Sequence, residues 1–200
     1  GPSSHLALFG IRSTIGLTSR DGVIPLVFDR DIAGPMTRTV EDGARLFNVV
    51  AGYDPADSLT LPGKRENNYL DFLNAGGLEG KRLGVFRSLV DHEDADPEIK
   101  EIFLQAIADL TAAGAIIVDP LEIRDFQVLS DQIPFCGRFR YDVGQYFKSL
   151  ENPALLDVNQ VLETGEIAPE TRGSFGFYAQ NPLDVVPDEW EVPCPTWPNH

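Results

Sequence analysis

Cysteine, methionine and long apolar runs are all scarce in this sequence, which has Cys136, Cys194 and the single methionine Met36 in 200 residues. Two cysteines without a Cys-x-x-Cys spacing make no disulfide framework of the kind small secreted domains use, so a reducing, cytoplasmic setting is expected, with a leader upstream left open. No stretch approaches the roughly 20 apolar residues that span a bilayer, and no charged-then-apolar leader opens the chain. Basic residues are also in deficit, 16 against 31 acidic, for a formal charge of -15. A chain of that sign is repelled by phosphate backbones and by anionic membrane surfaces, so neither nucleic acid nor membrane is expected as a partner.

Several chemical motifs are missing as well. There is no Gly-x-Ser-x-Gly elbow, no His-Glu-x-x-His and no Gly-x-Gly-x-x-Gly, so metal and nucleotide cofactors have no support and none is expected. The run Asp91-His92-Glu93-Asp94, with Asp96, lacks the glycine and terminal glutamate of a calcium loop; it reads as a solvated turn leading into a helix N-terminus. Ser3-Ser4-His5 are neighbours in sequence, and neighbours seldom face one another, so they read as structural loop. Ser13 and Ser19 read as loop hydrogen-bonders.

What is present is ordinary globular composition, 42% hydrophobic and 10% aromatic, of a size that suits one domain over residues 1–200. Thr39 is placed to cap a helix with Asp42 three residues on, and Val40, Gly43, Ala44, Phe47, Val50 and Ala51 recur at helical spacing until Gly52. A short helix is expected near Asn68 to Leu73. Lys81 to Arg87 reads as a strand, Pro97 to Ala113 as an amphipathic helix capped by Asp96, and Ala115 to Val118 as a second strand: a βαβ unit over 81–118 with parallel strands. The helix stripe is Ile99, Ile102, Phe103, Ala106, Ile107 and Leu110. Residues 125–200 read as a helical and extended region, with helix broken at Pro134 and Gly137, another short helix over Val158 to Glu163, and no regular element after Pro182.

The densest signal lies in the first 57 residues. Gly10, Thr14, Gly16, Ser19-Arg20, Gly22-Val23, Pro25, Asp31, Gly34-Pro35-Met36, Arg38, Val40, Asp42 and Ala44 fall at the spacing of the core block of the amidase signature hydrolases, which this chain resembles. One departure is Arg12-Ser13-Thr14, where the family reads basic-Pro-Thr. The likeness runs back through Pro2, Ser3, Ala7 and Phe9, and more weakly forward through Asn68 to Phe72, Lys81 to Val85 and Phe139 to Tyr146.

The resemblance implies an α/β fold, α/β/α layered around a mixed central sheet and apparently truncated at both ends, with a companion polypeptide segment completing it. It implies hydrolysis of a small-molecule carboxamide through a serine acyl-enzyme whose serine, cis-serine and lysine match no residue here and would lie upstream. The isolated chain is then expected to be inert. Gly1-Pro2 reads either as native sequence or as a tag scar. Substrate-pocket candidates are Met36, Phe135, Phe139 and Tyr146. Arg20, Asp31, Gly34, Pro35 and Arg38 are expected to scaffold the active-site wall, Asp31 pairing with Arg20 or Arg38. Arg138 stands where the family often carries Glu. Two alternatives are an amidase-type component of a tRNA-dependent amidotransferase and a non-catalytic amidase-like scaffold.

Overall fold

The computed structural model describes residues 1–131 and 136–190. In chain order the elements are α1 (Pro2–His5), β1 (Phe9–Gly10), β2 (Met36–Thr37), α2 (Val40–Val50), β3 (Arg82–Gly84) and α3 (Pro97–Ala112). They are followed by β4 (Ile116–Val118), α4 (Phe126–Asp131), α5 (Phe139–Ser149), α6 (Asn159–Thr164) and α7 (Arg172–Tyr178). Short 3-10 turns occur at Tyr69–Phe72, Arg87–Leu89, Pro169–Thr171 and Pro187–Glu189. The chain divides into two compact units, Gly1–Leu70 with Pro134–His200, and Asp71–Ile133.

In the first unit, α2 forms where the capping pattern puts it. Thr39 Oγ1 accepts the Asp42 backbone N–H at 3.0 Å, and Glu41 and Asp42 place negative charge on the first turn, where the helix dipole favours it. The helix buries Gly43, Ala44 and Phe47, and Ala51 leaves it in extended conformation one residue before the expected Gly52. The antiparallel pair β1–β2 aligns Phe9 with Thr37 and Gly10 with Met36. Asn48 joins α2 to residues 68–69: its Nδ2 donates to Asn68 Oδ1 and its Oδ1 accepts from Tyr69 N, both at 2.8 Å, while the Tyr69 ring lies tilted against that of Phe47 at 4.6 Å.

A second core lies under α5. Phe139, Val143 and Val158 are buried, with Phe147, Phe175 and Tyr178 packed against them, and the Phe139 ring meets those of Phe175 and Tyr178 at 5.4 and 5.2 Å. Partial burial of the Phe175 and Tyr178 rings against Phe139 anchors α7, which sequence reading did not predict. Arg140 fastens the surrounding loops, gripping Asp157 through Nε and Nη2 and donating Nη1 to the carbonyls of Ala179 and Asn181. Asn181 in turn donates to the Gly137 carbonyl.

The second unit is the expected βαβ arrangement. β3 and β4 pair in parallel, Arg82 with Ile116 and Gly84 with Val118, and the ladder continues through Val85 N to Val118 O at 2.9 Å and Leu121 N to Val85 O at 2.7 Å. Asp96 caps α3 by accepting Glu98 N–H at 2.8 Å, Pro97 occupies the first turn, and Gly114, at φ +90°, follows the helix end. The apolar stripe divides: Phe103, Ile107 and Leu110 are half-buried, whereas Ile99 and Ile102 are exposed. Strands of three residues cover only part of a sixteen-residue helix. Arg87 forks onto Asp119 and also approaches Asp91 at 3.9 Å, which itself takes Lys100 at 2.9 Å.

Parallel and antiparallel pairing thus both occur, in two separate two-stranded sheets, and the chain is α/β. The expected break at Pro134 lies outside the described residues, as do Phe135, Cys194 and the last ten positions. Among the described residues helix is present as α4 before position 132 and as α5 after position 138. Among the described residues no helix is long and apolar enough to cross a membrane.

Candidate functional site

The 12–35 loop is tied down by its own small polar side chains. Thr18, 1% exposed, donates from Oγ1 to the Ala33 carbonyl at 2.8 Å and meets Ser13 Oγ at 3.3 Å. Ser19 Oγ donates to Asp54 Oδ2 at 2.6 Å. At Gly34 an added Cβ would collide with the Ile11 carbonyl, so this turn has room for glycine alone.

Asp57 organises the wall. Its Oδ2 accepts the Arg20 backbone N–H at 2.9 Å and Arg20 Nε at 3.2 Å, and its Oδ1 accepts Leu59 N–H at 3.1 Å. Arg20 also donates Nη1 to the Phe28 carbonyl. The pair is well enclosed, with side-chain exposures of 13% and 7%. Burial pushes the Asp57 carboxyl upward, but the hydrogen bonds from Arg20 and Leu59 and the guanidinium charge together hold it below the ordinary value.

Arg138, which immediately precedes α5, and Asp142 in its first turn form a matching pair. Arg138 Nε reaches both oxygens, at 3.0 and 2.8 Å, and Nη2 reaches Oδ1 at 2.8 Å, with exposures of 12% and 6%. Here burial wins, and the Asp142 carboxyl is lifted above its ordinary value despite its partner. The Phe28 ring lies between the two arginines, 4.9 Å from the guanidinium carbon of Arg20 and 3.9 Å from that of Arg138. Each contact has the geometry of a cation–π interaction.

These groups line an open cleft of about 350 Å³, with Asp21, Val23, Pro25, Tyr141, Gln145 and Tyr146 among its other walls. Arg20, Asp31 and Tyr146, three of the residues expected from sequence, come together there. Asp31, however, pairs with neither arginine. Its Oδ2 accepts the backbone N–H groups of Leu26 at 2.6 Å and Val27 at 2.8 Å, a local turn that satisfies the carboxylate before any guanidinium is needed. Arg38 is exposed and makes no ion pair among the described residues. Gly34, Pro35 and Met36 line a second cleft of about 430 Å³ with Ser3, Arg12, Arg30 and the other side of Asp31. Phe139 lines neither cleft: it is 7% exposed in the aromatic core. Phe135 lies outside the described residues.

Sequence reading missed Asp57, Phe28, Asp142 and Gln145. The four-residue spacing of Arg138 and Asp142 was a legible helix pair; nothing in the sequence pointed from Arg20 to Asp57. Among the described residues the lining of the cleft has no histidine or lysine. Among the described residues no group of three or more His, Cys, Asp or Glu is placed to hold a metal ion.

Comparison with known proteins gives this arrangement its context. A probable amidase of Arabidopsis thaliana is 32% identical over 177 residues, covering 82% of this chain and 32% of that protein. A glutamyl-tRNA(Gln) amidotransferase subunit from Rubrobacter xylanophilus is 42% identical over 114 residues, 57% of this chain and 23% of that one. The native peptide amidase from Stenotrophomonas maltophilia superposes with a TM-score of 0.63 at 31% identity, over 76% of this chain and 31% of that structure. The chain therefore spans about a third or less of the length of these relatives. The sequence pattern of the Amidase family matches residues 1–173, and the chain belongs to that family.

Proposed function

We propose that this chain forms part of an enzyme that hydrolyses a carboxamide, and that it supplies the wall beside the reacting group rather than the nucleophile. Membership of the Amidase family across residues 1–173 is the observation that carries this reading. In the mechanism that the resemblance implies, one serine attacks the carbonyl while a second serine and a lysine move its proton. Backbone N–H donors stabilise the oxyanion, each worth about 2.7–4 kcal/mol. No residue of this sequence matches those three side chains. The chain's own contribution is to hold the substrate: Arg20 fixed by Asp57 and the loop closed by Asp31 set one wall, Gly34, Pro35 and Met36 border the second cleft, and Tyr146 faces the ligand. The companion segment that would carry the nucleophile belongs to the same proposal. A small peptide amide suits a cleft with one side-chain amide and two phenols in its lining.

The likeness to a glutamyl-tRNA(Gln) amidotransferase component favours one second reading, in which the amide is glutamine and the ammonia serves a partner enzyme. A single experiment addresses both. The 200-residue chain and the protein expressed from its complete coding sequence are treated with a fluorophosphonate and assayed on amino-acid amides, peptide amides and glutamine. Labelling and amide turnover by the complete protein, with no labelling of the chain alone, are expected. Stoichiometric labelling of a serine within residues 1–200 would overturn the assignment, and turnover restricted to glutamine would select the second reading.

A further inference from the structure

The cleft between the 20–31 loop and α5 contains two guanidinium groups whose Nε–Nη2 edges, the ones that fork onto a carboxylate, are both already occupied by aspartates of the chain itself. The Nε–Nη2 edge of Arg20 is taken by Asp57 and its Nη1 by the Phe28 carbonyl. The corresponding edge of Arg138 is taken by both oxygens of Asp142, and one of its faces lies on Phe28. An incoming carboxylate would have to displace an aspartate whose side chain is 6 or 7% exposed. Once each arginine is paired, Asp21 and Asp31 remain in the lining, which among the described residues holds no further cation to balance them. What the cleft does present is apolar surface from Val23 and Pro25, the phenol of Tyr146 and the amide of Gln145, surfaces that suit neutral polar and cationic groups.

We infer that the Arg138–Asp142 pair sets the charge selectivity of this cleft, admitting neutral and cationic substituents of the amide substrate and rejecting carboxylates. Asp142 is the selectivity residue, because it occupies the Nε–Nη2 edge of Arg138 on which a ligand carboxylate would fork. Specificity of this kind comes from the disfavoured ligand meeting unpaired like charge. The identification of the ligand as part of an amide substrate rests on the proposed function; the charge preference of the cleft does not.

Three probes of equal length separate these points: butyrate, butyramide and butylammonium, titrated against the chain and followed through the backbone amides of Gln145 and Tyr146. Butyramide and butylammonium should each bind at least about tenfold tighter than butyrate, the weight of one charge-assisted contact. Asp142→Asn keeps the shape and removes the charge, and should shift the butyrate-to-butyramide ratio by about tenfold toward butyrate. Should that variant lose the amide protection of α5, Arg138→Gln makes the reciprocal test, since the released Asp142 should raise butylammonium binding relative to butyramide. Equal binding of butyrate and butyramide by the native chain, or ratios unmoved in the folded variant, would overturn the inference. With the complete protein, kcat/KM for amides bearing the same three end groups should follow the same order. Probe binding in that order without turnover of any amide would leave the selectivity standing and count against the hydrolase reading alone.

Discussion

Replacing Asp57 by alanine removes the acceptor on which Arg20 depends. Three Arg20 contacts go with it, the backbone N–H at 2.9 Å, Nε at 3.2 Å and Nη2 at 3.4 Å, together with the Leu59 N–H at 3.1 Å. Breaking a fully buried pair costs about 3–5 kcal/mol because a desolvated charge is stranded. Arg20 is 13% exposed, so water recovers part of that loss, and about 2–4 kcal/mol is expected. Asp57→Asn should cost roughly half as much, since one amide oxygen can still accept a backbone donor. Because the chain has two compact units, the loss is best read by native-state hydrogen exchange at α2 and α5, both in the same unit, as a function of urea. A double-mutant cycle with Arg20→Met isolates the pair and should return a coupling above about 1 kcal/mol. Freed from Asp57, Arg20 should also loosen its hold on the Phe28 carbonyl, raising exchange across residues 22–28. A coupling below about 0.5 kcal/mol, or an Asp57→Ala loss under about 1 kcal/mol, would refute the claim that this pair organises the wall.

Other perturbations test separate parts of the structure. Asp31→Ala strands the N–H groups of Leu26 and Val27 and should cost about 1–3 kcal/mol in chemical denaturation, with Asp31→Asn milder; an unchanged melt for both would exclude the turn as its role. Arg140→Ala should cost about 2 kcal/mol or more and raise exchange near Asn181, and Arg140→Lys should restore little, since an ammonium cannot fork onto Asp157 while reaching two carbonyls. Thr39→Ala should destabilise α2 by about 1 kcal/mol, read as faster exchange in its first turn. Asp57 and Asp157 are both held below the ordinary carboxylate value, Asp157 chiefly by the Arg140 hydrogen bond, so the stability they contribute is present above their unfolded value and lost as pH falls through the folded one. Asp142, lifted by burial, works the other way and favours the folded state on protonation. Acid melts should therefore show Asp57→Asn flattening the stability loss below about pH 4, and Asp142→Asn steepening it.

Local chemistry was legible in the residues themselves. The Thr39 cap with Asp42, the Asp96-Pro97 start of α3 and the parallel strands around that helix all appear where short-range rules put them, because a cap, a first-turn proline and an apolar run act on their own neighbours. The spacing of the 10–44 block pointed to the family for a similar reason, since it records a pattern and needs no geometry. Partner choice was not legible. Arg20 lies 11 residues from Asp31 and 37 from Asp57 and takes the distant one, because the backbone N–H groups of the 26–27 turn reach Asp31 first. α7 was hidden by Gly173 and Gly176, poor helix formers, and forms where Phe175 and Tyr178 can bury against Phe139. Phe139 and Tyr146 share a helix stripe, which suggested one pocket for both. Seven residues also advance about 10 Å along the axis, so one end of that stripe sits in the aromatic core under α7 while the other opens on the cleft. Periodicity assigns a side chain to a face; what packs against each length of that face is decided by segments far away in sequence.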